Sequence, residues 1–446
     1  MTTPSYAEVS ARLQARWPEH KIAPTLDRVR RLVELLGDPQ RSYPVIHLTG
    51  TNGKTSTARM IDGLLREAGL RTGRFTSPHL ETVRERITLD GEPISEQRFT
   101  EAYAELEPYL ELVDAQSDVP LSFFEVITAM AFAVFADAPV DVAIVEVGLG
   151  GTWDSTNVAD GTVAVVTPVA VDHSHLLGRE SVEIAADKAG IIKPGATAVM
   201  ALQTPEVFEV LMRRGAEVGA TIAREGFEFG VLSRDVAVGG QLLTLRGLAG
   251  EYDEVFVPLH GEHQARNAVT ALAAVEAFVG ANDEKQVDAD LVRRAFAGVS
   301  SPGRLEVVRR SPTIVLDAAH NPHGAQATAD SVGEAFAFSP LVGVLGCMQD
   351  KDVYGVLEAF EPIMDTVVCT QNSTPRAMPA EELAAEAAEV FGEDRVLVVP
   401  RLDDAIAEAV RLAEEKATAL GSGGVLVTGS VITAGEARVL LGGGER

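Results

Sequence analysis

One segment near the N-terminus reads Ile46-His47-Leu48-Thr49-Gly50-Thr51-Asn52-Gly53-Lys54-Thr55-Ser56. Its apolar start is typical of a buried strand, its glycines indicate a turn, and the residues that follow favour a helix. This arrangement points backbone N–H groups and the positive end of a helix dipole at one spot, where a polyphosphate can bind. Lys54 would reach the outer phosphates, and the hydroxyl of Thr55 or Ser56 could bind Mg²⁺.

The segment departs from the usual phosphate-binding pattern in its spacing. Leu48 stands five residues before Gly53, where that pattern has glycine, and Gly50 stands only three residues before it. The loop is therefore predicted to be shorter than the usual one. An ordinary glycine turn between a strand and a helix is the alternative, but Gly-Lys-Thr at such a junction favours phosphate binding.

Length, composition and charge predict an ordinary globular protein with more than one domain. A chain of 446 residues exceeds the size of one hydrophobic core, and 46% hydrophobic and 23% charged residues are typical of globular folds. The net charge of −27 argues against nucleic-acid binding, and it requires a local cluster of cations for any anionic substrate. Cys347 and Cys369 lie in apolar segments, which predicts reduced core residues rather than a disulfide scaffold.

The sequence shows no pattern of a secreted or membrane protein. The first residues lack the basic and then apolar pattern of a secretion signal. The most apolar helix, residues 126–135, is followed by Asp137, Pro139 and Asp141, too soon to span a bilayer. We therefore expect a cytoplasmic enzyme without a membrane partner.

Strands that alternate with helices predict an α/β fold. Residues 140–147 and 162–168 are rich in β-branched residues, as in strands that are buried on both faces of a parallel sheet. The glycines at 148–151 are not the dinucleotide-binding fingerprint, because Trp153 occupies the position of its third glycine. Residues 197–257 predict only short strands and glycine-rich turns.

A second α/β pattern follows residues 298–303, which resemble a linker. It has a parallel sheet but no phosphate loop. The sequence thus predicts an N-terminal P-loop domain with a central, mostly parallel sheet at 1–297 and a smaller, Rossmann-like C-terminal α/β domain at 304–446. Because ligands bind beyond the carboxyl ends of parallel strands, we expect Glu146, His173 and the phosphate loop to lie together.

Several polar segments together resemble the folylpolyglutamate synthase and dihydrofolate synthase family, relatives of the Mur peptide ligases. Thr55 stands where that family commonly has Gly, Thr152-Trp153 where it has Arg-Leu, and Ala318 where it has Gly. The matching segments run in the family's order over most of the chain: 50–54, 76–80, 123–125, 146–151 with Asp154, Thr156 and Asn157, 172–173 with 177–178, 183–194, 263–264 with Asn267, 302–304 and 317–322.

The resemblance implies an ATP-dependent amide ligase with a Mur-type central domain and a C-terminal glutamate-ligase domain. ATP would convert the carboxylate of dihydropteroate or of a reduced folate to an acyl phosphate, and the amine of L-glutamate would then displace the phosphate. The expected activities are those of dihydrofolate synthase and folylpolyglutamate synthase. A Mur-type peptide ligase of cell-wall synthesis and a P-loop nucleotide switch are the alternatives. We expect a monomer with small-molecule substrates and no nucleic-acid partner.

The resemblance also implies a metal site and a modified lysine. Ser77, Glu146 and His173 would bind Mg²⁺, although His173 could instead be a hydrogen-bonded core histidine. Lys188 resembles the family lysine that CO₂ converts to a carbamate, an anion that could hold a second metal; a lysine paired with a nearby carboxylate is the alternative. Lys54, His173 and Lys188 are the expected catalytic residues, and a monovalent cation is an optional cofactor.

The remaining implied residues bind the substrates. The ATP site would consist of Gly50, Thr51, Asn52, Gly53, Lys54, Thr55 and Ser56 with Asn267 for adenine, Arg304 for phosphate and Asp317 for the ribose. Arg304 on the linker would complete the site only when the second domain closes, unless it is an ordinary surface arginine beside a turn.

The expected pterin site includes two phenylalanines that can stack on a flat ring or simply pack in the core. It consists of Lys21, Ile22, Ala23, Pro24, Ser122, Phe123, Phe124, Glu125, Trp153, Asp154 and Ser155. His320 and Ser430, at strand ends of the second domain, are candidates for the interdomain cleft and for glutamate.

Overall fold

The N-terminal lobe alternates strands with helices, as its buried β-branched runs predict. The computed structural model describes residues 4–18, 23–172, 174–282, 284–415 and 422–442. The helices of this lobe within those ranges are α1 (Tyr6–Gln14), α2 (Asp27–Leu35), α3 (Lys54–Glu67), α4 (Glu96–Asp114), α5 (Phe123–Asp137), α6 (Ser174–Leu177), α7 (Ser181–Lys188), α8 (Pro205–Val218), α9 (Glu262–Val279) and α10 (Ala289–Ala297). Its strands are β1 (Val45–Thr49), β2 (Thr72–Phe75), β3 (Ile87–Leu89), β4 (Glu92–Pro93), β5 (Val142–Glu146), β6 (Gly161–Val166), β7 (Thr197–Met200), β8 (Thr221–Arg224), β9 (Gly230–Ala237), β10 (Gly240–Arg246) and β11 (Glu251–Val257).

A mostly parallel sheet forms the centre of this lobe. Within the described ranges it has eight strands in the order β4-β3-β2-β5-β1-β6-β7-β8. Its pairs are parallel from β2 to β8, whereas β3 and β4 form an antiparallel hairpin at one edge. Asp90 and Gly91 turn this hairpin with φ of 50° and 88°, as an Asp-Gly turn requires. Glu146 is therefore the last residue of β5, and the glycine loop follows the neighbouring strand β1, as predicted for these two parts of the site.

Helices cover both faces of this sheet. On one face, α1, α2, α4 and α5 enclose a core that includes Phe75, Phe99 and Phe132. On the other, α3, α9 and α10 pack between the sheet and a smaller antiparallel sheet of β9, β10 and β11. Each fully buried large apolar side chain contributes about 1.5–3 kcal/mol, so these two cores fix the strands that carry the glycine loop.

The C-terminal lobe has its own sheet. Over the ranges that the structure describes, its helices are α11 (Pro322–Ala335), α12 (Val353–Phe360), α13 (Ala380–Phe391), α14 (Leu402–Glu415) and α15 (Val431–Leu440). Its strands are β12 (Glu306–Arg310), β13 (Thr313–Leu316), β14 (Phe338–Leu345), β15 (Thr366–Cys369), β16 (Val396–Val398) and β17 (Ser422–Thr428), which form a sheet in the order β12-β13-β17-β14-β15-β16. Only β12 is antiparallel to its neighbour among these described strands. The predicted fold class is confirmed.

Two elements differ from the sequence-based expectation. The helix α8 lies in the segment that predicted only strands and turns; it buries Val207, Leu211 and Gly215 at intervals of four residues, a helical period that the interpretation of this segment overlooked. The strand β12 reads Glu-Val-Val-Arg-Arg and lies exposed at an edge, so it gives no apolar run. The proposed domain limits at 297 and 304 fall between α10 and β12 and stay a prediction.

Both cysteines are free and buried, as predicted. In the parts of the chain that the structure describes, no helix is both long and apolar enough to cross a membrane.

His47 gives the central sheet a pH-dependent contribution to stability. Its side chain is fully buried in β1, and Nε2 lies 2.9 Å from the hydroxyl of Thr156. Burial, with a smaller effect from Lys193, lowers the pKa of His47 from 6.5 to about 3. The unfolded chain therefore takes up this proton first as the pH falls. The stability contributed by neutral His47 is complete above pH 6.5 and is lost as the pH falls towards 3.

The unfolding free energy of the unmodified chain should fall between about pH 8 and about pH 5. Because glutamine cannot titrate, we expect this fall to be smaller in His47→Gln, by roughly 2 kcal/mol. Urea unfolding of both proteins at the two pH values measures this difference. Equal losses in the two proteins would contradict the assignment of a low pKa to His47.

Candidate active site

The glycine loop between β1 and α3 is held by backbone positions that only glycine suits. Gly50 has φ of 144°, and a Cβ there would collide with the hydroxyl of Thr167 and lie 2.9 Å from its carbonyl oxygen. Gly53 has φ of 86°, and a Cβ there would lie 2.5 Å from Oδ1 of Asn267. The backbone N–H of Thr51 donates to the carbonyl of Pro168 at 2.9 Å. The loop is thus shaped by its neighbours and ends at the N-terminus of α3, which favours an anion.

Two lysine amines converge on this loop. Lys54 Nζ donates to the carbonyls of Gly50 at 3.1 Å and Thr51 at 3.2 Å, and Lys188 Nζ donates to the same Gly50 carbonyl at 2.8 Å. Burial and then the charge of Lys54 lower the pKa of Lys188 to about 7. Burial also lowers the pKa of Lys54, against the attraction of Glu146. An amine that is partly neutral near pH 7 is therefore held beside a cation.

Glu146, at the end of β5, is the buried carboxylate of the site. It is 1% exposed, and the hydroxyl of Thr55 donates to both of its oxygens at 3.0 Å. The backbone N–H of Ser77 approaches it at 3.4 Å. Burial raises the pKa of Glu146, and the charge of Lys54 opposes this effect. Glu146, Thr55 and Ser77 offer a carboxylate and two hydroxyls, the oxygen ligands that Mg²⁺ prefers.

These oxygens fit a magnesium ion that is also bound by substrate phosphates. Among the described residues, no group of three or more His, Cys, Asp or Glu could hold a metal by itself. A hard ion that keeps waters and binds phosphate needs only one or two protein carboxylates, and Glu146 supplies one. His173, the third predicted ligand, lies outside the described residues.

The C-terminal lobe brings its own strand ends to the same cleft. Asp317, after β13, accepts hydrogen bonds from the N–H of Ala319 at 2.9 Å and the hydroxyl of Thr328 at 2.8 Å on one oxygen, and from the N–H of Leu305 at 3.0 Å on the other. His320 lies 2.9 Å from the Ala318 carbonyl through Nδ1. The carboxylate of Asp317 is thus held in one orientation, with acceptor capacity left for a ligand.

Asn267 and Ser430 have structural partners of their own. Asn267, on α9, donates to Gln264 at 3.1 Å and faces Gly53, so it lies directly beside the phosphate loop. Ser430 begins α15, where its hydroxyl accepts the N–H of Thr433 at 3.0 Å. Its hydroxyl also accepts from Asn372 at 3.3 Å. Ser430 therefore lines the cleft mainly as a helix cap.

A polar cluster that the sequence did not assign joins the two lobes. Asp172, after β6, lies 2.6 Å from Lys351 Nζ, accepts from Asn321 at 3.1 Å and lies 3.6 Å from His320. Asn321 also donates to Asn52 of the glycine loop at 3.2 Å. Asp172 and Lys351 both follow predicted strands, and this position is the signal that could have identified them.

Only part of the predicted pterin site lines the cleft. Phe124 lines the cleft and covers Gly148, where a Cβ would collide with its ring, whereas Phe123 is buried in the core with Arg86 at 4.9 Å over its ring. Pro24 is exposed and does not line the cleft, and Lys21 and Ile22 lie outside the described residues. The residues of the predicted set that line the cleft are Ala23, Ser122, Phe124, Glu125, Trp153, Asp154 and Ser155.

The two acidic residues of the predicted pterin site, Glu125 and Asp154, already have hydrogen-bond partners within the protein. Glu125 pairs with Arg28, whose Nε lies 3.0 Å away, and accepts the N–H of Ser122 at 2.8 Å in a capping box. Asp154 accepts from the N–H of Leu149 at 2.9 Å and of Thr156 at 3.0 Å. Burial raises the pKa of Asp154 against these hydrogen bonds. Arg28 was not predicted, because no local pattern links it to Glu125.

One continuous cleft of about 1320 Å³ contains these groups. It runs from Phe124 past the glycine loop to Asp317, His320 and Ser430. The carboxyl ends of the two parallel sheets face each other across it. This arrangement brings a polyphosphate site, a flat apolar pocket and a second lobe together, which is the geometry of a ligase that activates one substrate for attack by another.

Comparisons with known proteins agree with this arrangement. Residues 48–275 match the Mur ligase middle domain, and residues 303–431 match the Mur ligase glutamate ligase domain. A Mycobacterium tuberculosis protein named dihydrofolate synthase/folylpolyglutamate synthase is 52% identical, with 98% of this chain and 94% of that protein covered.

Solved structures give the same result. Crystal structures of Mycobacterium tuberculosis folylpolyglutamate synthase complexed with ADP and AMPPCP match with a TM-score of 0.93 and 51% identity, covering 98% of each chain. A structure of E. coli FolC in complex with DHPP and ADP matches with a TM-score of 0.84 and 29% identity, covering 99% of this chain and 98% of that one.

The two domain matches define a Mur-type ligase. The chain belongs to the folylpolyglutamate synthase/dihydrofolate synthase family of that superfamily. The prediction of an ATP-dependent, ADP-forming carboxylate–amine ligase is confirmed, and the wall-peptide ligase and the nucleotide switch lose their support.

The shape of the glycine loop can be tested at Gly50. We expect Gly50→Ala to reduce kcat/KM about 100-fold, because the added Cβ must displace the loop backbone from Thr167. Calorimetric titration with ADP should also show weaker binding. Gly37→Ala is the matched control, since Gly37 likewise has a positive φ of 81° but open space around it. Equal ADP affinity of the two variants would contradict this role of Gly50.

Proposed function

We propose that this enzyme joins L-glutamate to dihydropteroate and to reduced folates through an acyl phosphate. The observation that carries the proposal is the common cleft, in which the glycine loop, Glu146 and Lys188 of one lobe face Asp317 and His320 of the other. The two acceptors of glutamate, dihydropteroate and a reduced folate, are inferred from the names of the relatives, dihydrofolate synthase and folylpolyglutamate synthase.

The nucleotide would lie between the lobes. Its adenine would contact Asn267 on α9, its ribose would be held by the fixed carboxylate of Asp317, and its phosphates would follow the glycine loop from Gly53 to Ser56. Lys54 and Arg304 line the same part of the cleft and would offset the charge that moves onto ADP. The site then needs to position the reactants rather than to form covalent bonds with them.

The chemistry consists of two displacements. An oxygen of the acceptor carboxylate attacks the γ-phosphorus of ATP, the bond to the β-phosphate oxygen breaks, and ADP leaves. The amine of glutamate then attacks the acyl carbon, the carbon–oxygen bond to phosphate breaks, and phosphate leaves with formation of the amide. Cations that line the cleft favour the first displacement by reducing the repulsion between the carboxylate and ATP.

Mg²⁺ would be held by Ser77, Glu146 and Thr55, together with the predicted ligand His173. When bound, the ion supplies charge neutralisation at the phosphate oxygens. The hydroxyl of Thr55, already within 3.0 Å of Glu146, keeps that carboxylate oriented towards the loop.

Lys188 is suited to become a carbamate. Its pKa of about 7 leaves a neutral amine for CO₂ at physiological pH, and its position at the Gly50 carbonyl brings a new anion next to Lys54. Such an anion would replace the repulsion between Lys54 and Lys188 by an attraction.

The acceptor would occupy the apolar end of the cleft. Phe124 and Trp153 line it and offer flat faces for a pterin, while Asp154 and Ser155 offer polar edges. His320 and Ser430, at the opposite side, are the proposed contacts of glutamate. A monovalent cation, a monomeric state and a cytoplasmic location stay predictions from the sequence.

The products test the proposal directly. The protein is mixed with ATP, Mg²⁺, L-glutamate and either dihydropteroate or tetrahydrofolate, and the products are analysed by mass spectrometry. We expect a mass gain of one glutamyl unit with each acceptor, and ADP release that requires both acceptor and glutamate. A gain with only one acceptor would make the enzyme monofunctional, and ADP release without an acceptor would contradict the proposal.

The carbamate can be tested at Lys188. We expect Lys188→Ala to lose most activity, by about 10-fold to 100-fold, because a group that orients the site is removed. Added formate should restore part of this loss, since a small carboxylate can enter the space and replace the anion. Lys193→Ala, two residues beyond the short helical turn Ala189–Ile191 that follows α7, is the control and should show no response to formate. No restoration at any formate concentration would contradict the carbamate.

A further inference from the structure

An arginine of the C-terminal lobe pairs with two glutamates, one in each lobe. Arg438, on α15, pairs with Glu306 at the start of β12 through Nε at 3.0 Å. Through Nη1 it also pairs with Glu81 of the N-terminal lobe. The three side chains are only 16%, 21% and 23% exposed for Arg438, Glu81 and Glu306, so water screens this triad incompletely.

The backbone beside the triad comes unusually close to the N-terminal lobe. A Cβ on Gly435 of α15 would collide with the carbonyl oxygen of Leu80 and lie 3.0 Å from its carbonyl carbon. A Cβ on Gly303 would lie 3.2 Å from the side chain of Leu80. The C-terminal lobe and the linker therefore both contact the residue that precedes Glu81.

The segment that receives these contacts carries Ser77. We call residues 77–82 the Ser77 loop. Its far end is fastened by Glu85, which accepts the N–H groups of Leu80 at 3.0 Å, Glu81 at 2.9 Å and Thr82 at 2.7 Å. Its near end approaches Glu146 through the Ser77 N–H. The Ser77 hydroxyl thus lies on a loop whose far end is held by Glu85 and is also docked on α15.

We infer that Arg438 is a positioning residue, which adds to the hold of Glu85 on the Ser77 loop and keeps that loop beside Glu146 while the C-terminal lobe is docked. The triad connects the lobe that contributes Asp317 and His320 to the loop that contributes a magnesium ligand. Docking of the C-terminal lobe and placement of the magnesium ligand Ser77 are thereby coupled. Arg438 acts from outside the cleft, because it is not one of the residues that line it.

This inference rests on the proposed role of Ser77 in Mg²⁺ binding. A loop that is released from α15 would let the Ser77 hydroxyl move relative to Glu146, and partners that orient a metal ligand typically change metal affinity or activity 10- to 100-fold. The expected effect is therefore on the Mg²⁺ requirement rather than on folding.

The test compares Arg438→Gln, Arg438→Lys and Glu81→Gln with a matched control in the full chain. Arg411→Gln is the control, because Arg411 also bridges two glutamates, Glu408 and Glu415, but within α14. Two quantities are measured: the Mg²⁺ concentration for half-maximal ADP release, and hydrogen–deuterium exchange of the backbone over residues 77–85.

We expect Arg438→Gln to raise the half-maximal Mg²⁺ concentration about 10-fold and to speed exchange over residues 77–85, with kcat largely recovered at saturating Mg²⁺. Arg438→Lys should recover part of the effect, since an ammonium can pair with one of the two carboxylates. Glu81→Gln should follow Arg438→Gln in direction, because it breaks the ion pair between the loop and Arg438 while Glu306 still holds Arg438. Arg411→Gln should match the unmodified enzyme in both measurements.

Several outcomes would overturn the inference. A folded Arg438→Gln with an unchanged Mg²⁺ requirement would do so, even if its exchange is faster, because the arginine would then be only structural. If Arg438→Gln does not fold, an unchanged Mg²⁺ requirement in Glu81→Gln has the same meaning. An unmodified enzyme without glutamate-dependent ADP release would instead contradict the proposed function, and the inference would fall with it.

Discussion

Two lysine amines donate to one backbone carbonyl at the base of the cleft, and the rest of the site is arranged around this pair of amines. Lys54 and Lys188 both contact the oxygen of Gly50, and burial lowers the pKa of each. In a chain with a net charge of −27, the overall composition cannot produce such a cluster. The fold brings the two amines together locally, and the lowered pKa of Lys188 reduces the repulsion between them before a polyphosphate enters the loop.

The two amines keep their positions because the glycine loop that accepts their hydrogen bonds has a fixed shape. Thr167 after β6 leaves no room for a side chain at Gly50, and Asn267 of α9 leaves none at Gly53. Both neighbours belong to buried elements of the same lobe. The carbonyl that accepts the two amines is therefore positioned by the hydrophobic core, and the site needs little rearrangement before a ligand binds.

The sequence predicted those features that depend on local patterns and missed those that depend on distant partners. The glycine loop, the buried strands and the alternation of elements in both lobes have short-range signatures, and the ordered motifs located most of the cleft. Phe123 and Phe124 are adjacent and equally apolar, so only the packing of α5 decides which one faces the cleft. Asp172 and Lys351 are 179 positions apart, and no periodicity can pair them.

The contacts that join the two lobes at the phosphate site are polar. Such contacts suit an enzyme with three substrates, because they are easily broken and re-formed when substrates exchange. Asn52, Asn321 and Asp172 exchange hydrogen bonds across the cleft, and each such bond contributes only about 0.5–1.5 kcal/mol relative to water. An apolar interface of the same size would hold the lobes together permanently. Polar contacts can instead be replaced by water, which would let the lobes separate for exchange of substrates, and the close backbone approach at Leu80 would form when the lobes dock again.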